Sequence, residues 1–213
     1  MALHDYHYHF VTQWRVVGTV GEVADILENP MELPRWWPSV YLEVEELAPG
    51  DERGVGRVAR LATKGWLPYT LAWQFRITES RHPFGFTLEA VGDFVGRGVW
   101  TFEQAGAWVN VTYDWEVEVT KPLLRILSPI LRPVFAANHR WSMRRGEESL
   151  VIELARRRAA TAAERASLPA PPPPTTTSPV PLLVVGLAVL VGAVGLSRIF
   201  SRAARRCRRR FFR

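Results

Sequence analysis

Two groups of residues in this chain have the types and spacing that chemistry requires. The first is His139 with Tyr113 and Tyr69. An imidazole near a phenol can take and return a proton, so these three are the best candidates for general acid–base work. His139 falls on an apolar stripe, where the ordinary reading is a histidine hydrogen-bonded inside the core. The second group is His4, His7 and His9. In an extended strand His7 and His9 share a face and could weakly hold a metal ion. No third ligand is evident nearby in the sequence, so they read as a solvated strand end and no metal site is expected. The single cysteine, Cys207, excludes an intrachain disulfide and a cysteine cage. There is no nucleophile with a partner base. Gly92, Gly96 and Gly98 do not follow a strand and open a helix as a phosphate loop must, and are read as strand curvature or bulges.

His139 must be carried by a helix. Ala136, His139, Met143, Gly146, Leu150 and Leu154 recur at steps of three or four, which predicts a long helix over Val134–Arg158 with one mostly apolar stripe. Arg140, Arg144, Arg145 and Glu148 fall on the other side. Gly146 interrupts the stripe and costs about 1 kcal/mol relative to alanine. It reads as a bend or a close packing contact ahead of room left for a ligand. Before this helix, Lys121–Pro133 is apolar but broken by Pro122, Pro129 and Pro133, which predicts a short helix and a kinked connection. That stretch is ordinary core, or an apolar flap near a pocket mouth or a membrane surface.

The tyrosines must be carried by strands. Tyr69, Leu71, Trp73, Phe75 and Ile77 alternate with Thr70, Ala72, Gln74, Arg76 and Thr78. Tyr113 belongs to a second alternating run, Trp108–Val119. Further strands are expected at Phe10–Val17, Val40–Leu47, Gly56–Thr63, Phe84–Val91 and Val95–Phe102, with a short helix at Glu22–Glu28. Arg97 lies on the face opposite Trp100 and is expected to meet solvent. Leu33–Pro38 places Trp36 and Trp37 between prolines, too short for a long helix, and reads as a plug at one end of the core or a lining of its mouth. Seven strands joined mainly by short turns give an antiparallel sheet, and only the long helix can cover its aromatic face.

The chain has 213 residues, 47% hydrophobic and 23% charged, which is globular composition. The net charge of +6 is misleading: eight of the 27 basic residues lie in Arg198–Arg213, leaving 19 against 21 acidic ones elsewhere. A nucleic-acid partner is therefore not expected. Met1–Tyr6 shows no basic segment followed by an apolar run, so no secretory signal peptide is expected. Ala159–Ser167 reads as a possible extension of the helix. The expected divisions are a domain over 1–158, a proline- and threonine-rich linker over 159–179, a membrane-spanning helix over 180–200 and an arginine-rich tail over 201–213. Attachment to the membrane would run through Val180–Phe200 and the tail. The positive-inside rule puts the tail in the cytoplasm; the lack of a signal peptide argues for a cytoplasmic domain, and the latter is the expectation.

Three stretches carry a resemblance: Leu33–Val40, Gly96–Glu103 with Val111–Trp115, and Asn138–Glu148. Over about residues 5–158 the chain resembles START-like proteins of the SRPBCC superfamily, in the polyketide cyclase/dehydrase-like branch. The resemblance implies an α+β helix-grip fold, a seven-stranded antiparallel sheet wrapped around a long carboxy-terminal helix. It also implies a deep apolar cavity that takes lipids, sterols, quinones or polyketides, with no shared catalytic triad and no cofactor. On that basis the expected lining is Tyr69, Trp73, Phe75, Tyr113 and Trp115 from the strands with His139, Met143 and Leu150 from the helix. Each of these is equally at home as plain core. The leading expectation is membrane-tethered binding or transfer of a hydrophobic small molecule or lipid. A cyclase/dehydrase-like enzyme and a protein-binding scaffold are the alternatives.

Overall fold

A computed structural model describes residues 6–175; for residues 123–131 it describes the backbone only. Seven strands form one antiparallel sheet in the order β1-β7-β6-β5-β4-β3-β2. They are β1 (His7–Val17), β2 (Tyr41–Ala48), β3 (Val58–Lys64), β4 (Thr70–Ser80), β5 (Gly85–Gly92), β6 (Phe94–Ala105) and β7 (Trp108–Val119). The helices are α1 (Val20–Leu27), α2 (Leu33–Trp36), α3 (Pro122–Arg158) and α4 (Ala162–Ser167), with a 3-10 turn at Pro30–Glu32. This is the α+β architecture with a seven-stranded antiparallel sheet and a long helix. The expected membrane span and arginine tail lie outside the described residues. Among the described residues no helix is long and apolar enough to cross a membrane.

α1 begins two residues before the expected start because of its cap. The Thr19 hydroxyl accepts from the Glu22 N–H, and the Glu22 carboxylate accepts from the Thr19 N–H at 2.8 Å, a reciprocal box that closes two open donors. Arg158, the last residue of α3, grips the same carboxylate at 2.7 and 2.9 Å and also donates to the Val17 carbonyl. The Arg158 hydrogen bonds are the main reason the Glu22 carboxyl is held down at about 2.

α3 differs from expectation at its start and ends where expected, at Arg158. It runs as helix from Pro122, where a short helix and a kinked connection were expected. Pro122 occupies the first turn, where its missing N–H leaves no bond unmade. The helix stops at Arg158; a new cap at Thr161, whose hydroxyl accepts from Glu164, starts the separate α4. Along the stripe Met143, Gly146, Leu150 and Leu154 are buried and Ala136 and His139 half-buried, while Arg140, Arg144 and Glu148 are exposed.

Two polar groups are buried beside that stripe. Glu153, 3% exposed, accepts two hydrogen bonds from Arg35 at 2.9 and 2.7 Å and one from Arg157 at 2.7 Å. Burial acts to raise its pKa, but the two guanidiniums outweigh it and hold the carboxyl below its ordinary value. Ser149 is fully buried as well.

Of the two expectations for Trp36-Trp37, plug or lining, Trp36 meets the first and Trp37 meets both. Both indoles are buried, and Trp37 contacts Trp14, Trp36 and Tyr41 with ring centroids 5.1–5.6 Å apart. The Trp37 ring lies so close to Gly146 that a Cβ there would collide with it. Gly146 is thus the close packing contact. Gly96 and Gly98 mark no bulge, one of the two alternatives expected for them. The β5–β6 and β6–β7 ladders run without register shifts; the shifts fall in β2 and β4. A side chain at Gly98 would stand 2.8 Å from the Tyr113 hydroxyl and 2.9 Å from the Trp115 ring, so these glycines give neighbouring side chains and backbone room to lie on the strand.

Candidate functional site

The inner face of the sheet is lined by alternate residues of the strands. Opposite the middle of α3 they stop short of filling the interior. A cavity of about 180 Å³ remains. Its sheet wall includes Tyr8, Phe10, Trp73, Phe94, Tyr113 and Trp115, and its helix wall Phe135, His139 and Met143. The loop after β3 forms the rim. Asn138 on α3 holds that loop by accepting from the N–H groups of Trp66 and Leu67 at 3.0 and 3.3 Å.

Six of the eight expected lining residues surround this cavity: Tyr69, Trp73, Tyr113, Trp115, His139 and Met143. Phe75 and Leu150 do not. Phe75 lines a second void of about 50 Å³ further along the sheet, and Leu150 is wholly enclosed in packed core. Trp37, Tyr41, Trp73 and Tyr113 line both spaces and form the partition between them. Sequence reading missed Tyr8, Phe10, Tyr41, Phe94 and Phe135. For Tyr8 and Phe10 the alternation with Trp14 and Val16 was a usable signal.

The cavity is aromatic with few polar groups open to a ligand. Trp73 Nε1 donates to the Thr63 hydroxyl at 3.0 Å, and Asp93 is engaged by Lys121 and the Ala72 N–H. His139 is different. Its ring stacks on Phe10 with centroids 4.1 Å apart, and its Nε2 is buried with no partner among the described residues. Burial, aided by the Arg140 charge, lowers its pKa to about 4, so the imidazole is neutral at pH 7. Burial also pushes the phenols of Tyr41, Tyr69 and Tyr113 up, and they remain protonated. Tyr113 stacks on Trp100 at 4.0 Å and Trp115 at 5.6 Å. Among the described residues no hydrogen bond joins His139 to Tyr113 or Tyr69; they share a cavity without forming a dyad.

A wider cleft of about 670 Å³ lies at the other end of β4, lined by Glu28, Glu52, Arg53, Arg57, Arg81 and His82 among others. Its wall is charged. Arg57 and Arg81 direct N–H groups to the carbonyls of Glu28, Pro49 and Trp100, which makes them braces of the surrounding turns.

No protein-family model matches the chain, and no curated protein does. Solved structures do. A seven-stranded sheet with one long helix, and two short helices inserted after the first strand, is the fold this chain shares with START superfamily and aromatase/cyclase structures. A protein of Thermus thermophilus is similar over 71% of this chain and 100% of its own, with a TM-score of 0.58 and 14% identity. The Zhui aromatase/cyclase from a Streptomyces species is similar over 73% of this chain and 98% of its own, with a TM-score of 0.57 and 16% identity. A START superfamily protein from Mycobacterium smegmatis covers 67% of this chain and 98% of its own, with a TM-score of 0.52 and 14% identity. At such identities the likeness is one of fold.

Proposed function

We infer that the domain binds a hydrophobic small molecule in the cavity between the sheet and α3. The observation that carries this is a space of about 180 Å³ walled by aromatic rings, with one buried imidazole nitrogen left unpaired. Such a space attracts an apolar ligand that presents one hydrogen-bonding group. Its volume is a little above the roughly 150 Å³ that accepts a benzene, which favours a one- or two-ring compound. A sterol or acyl chain requires the Trp37–Tyr41–Trp73–Tyr113 partition to move. Burying about 200 Å² of ligand at about 25 cal/mol per Å² contributes about 5 kcal/mol before ordering costs, an affinity near 0.1–1 mM from the apolar part alone. A hydrogen bond to His139 adds about 1 kcal/mol. The apolar segment 180–200 in the sequence would hold the domain at a bilayer, where such compounds partition.

Titration with a naphthol-sized fluorescent ligand tests this. The expected outcome is saturable binding, weakened severalfold in His139→Ala. Absence of saturable binding by any one- or two-ring compound contradicts it.

The second reading is a cyclase-like enzyme, favoured by a buried neutral imidazole within an aromatic cavity and by the aromatase/cyclase among its structural relatives. A neutral His139 can accept a proton from a bound substrate and return it. A His139→Ala variant that keeps binding and loses turnover supports this reading; unchanged turnover removes His139 from it.

A further inference from the structure

β1 is an edge strand held to the sheet only through β7. Its inward residues Tyr8 and Phe10 form part of the cavity wall. Between them, His9 points to the outer face. The pairing places His9 opposite Glu116 and His7 opposite Glu118, with Asp114 one step further along. His9 Nε2 lies 2.9 Å from Asp114 Oδ1. One donor atom from each of His9, Asp114 and Glu116 lies within 4.8 Å of the other two. The sequence supplied the histidines, and the fold brings the missing ligands to them from a strand more than a hundred residues away.

We propose that His9, Asp114 and Glu116 bind one divalent transition-metal ion on the outer face of the β1–β7 pair. A neutral imidazole and two carboxylates balance a dication. Around zinc, such ligands stand about 2.0–2.2 Å from the metal and therefore about 3.4 Å from one another. His9 and Asp114 are half-exposed, so side-chain rotation alone closes the remaining gap. To ligate through Nε2 the neutral His9 imidazole carries its one proton on Nδ1, and the ion takes the place of the His9–Asp114 hydrogen bond. Water or His7, two residues away on the same face, fills the fourth position. Arg97, opposite Glu116 on β6, faces the site from the other side. Calcium and magnesium are disfavoured because they require more oxygen ligands than the site offers. The ion clasps the edge strand to β7 and so fixes Tyr8 and Phe10 in the cavity wall.

The test is zinc titration by calorimetry on the full chain, with Cys207→Ser as background so that the thiol does not contribute. The expected result is one zinc bound per chain at about 10 µM or tighter, with His9→Ala and Asp114→Asn each at least about tenfold weaker. His82→Ala, which alters a histidine outside the site, leaves binding unchanged. Thermal unfolding provides a second readout: zinc raises the midpoint of the background protein and not that of His9→Ala. No saturable binding below about 1 mM zinc overturns the proposal. So does a His9→Ala variant that binds as tightly as its background.

Discussion

Met143 and Leu150 lie two turns apart on one face of α3, yet they meet different interiors. Leu150 is fully enclosed, at the end where Trp14, Trp36, Trp37 and Trp100 pack against one another. Met143 borders the cavity. The same sheet and helix serve both ends. The difference lies in what is inserted between them. At the packed end the Pro-Arg-Trp-Trp-Pro segment drives two indoles into the gap, and Gly146 gives one of them room against α3. At the open end the insertion is a short loop tied down by Asn138, which brings Tyr69 to the cavity wall and leaves the space open. A space in a protein of this kind is thus set by where bulky side chains are withheld.

The largest effect is expected at the packed end. Trp36→Ala, at 1% exposure, is expected to cost about 3–5 kcal/mol in chemical denaturation, whereas His139→Ala at the open end costs less than about 1 kcal/mol. Comparable losses would mean that the two ends are packed alike. Next is the Arg35–Glu153 brace. Arg35→Ala leaves a buried carboxylate with Arg157 alone and is expected to cost about 2 kcal/mol, measured the same way. Gly146→Ala follows. Helix propensity alone gives about 1 kcal/mol, but overpacking against a Trp37 ring fixed by three neighbours costs about 1–3 kcal/mol, so the unfolding midpoint falls. Met143→Trp fills the cavity; stability changes by less than about 1 kcal/mol while ligand binding falls at least about tenfold.

The smallest effect is on pH dependence. His139 has a folded value of about 4, below its ordinary 6.5, so between these values the unfolded chain binds more protons. Its contribution is complete above about pH 6.5 and declines as pH falls to about 4. Glu22 acts lower: its contribution is present above the ordinary carboxyl range and is lost as pH falls to about 2. Stability against pH for His139→Ala is therefore flatter than for the parent between pH 6.5 and 4, and Glu22→Gln is flatter below pH 4.5.

Strand alternation and helix spacing are local, and they made most of the fold legible. Trp108–Val119 matches its strand end for end, and the stripe from Met143 to Leu154 is the buried one. Alternation assigns a face but not a position along the interior, which is why Phe75 and Leu150 share the predicted face and miss the cavity. What remained illegible depends on partners distant in sequence. Arg35 and Glu153 are 118 residues apart, and His9 and Asp114 are 105 apart. Trp37 was legible as a plug, but its place in the partition depends on Tyr41, Trp73 and Tyr113 arriving from three other strands.

The central claim is that the open end of the interior is a binding cavity. Native mass spectrometry of Met1–Thr175, the compact unit that contains it, tests this most directly. The protein would be incubated with membrane extract and compared with its Met143→Trp variant. The account predicts one apolar compound of one or two rings retained by the parent at near-stoichiometric amount and absent from the variant. A parent that remains empty, or a variant that retains the compound equally, would contradict it.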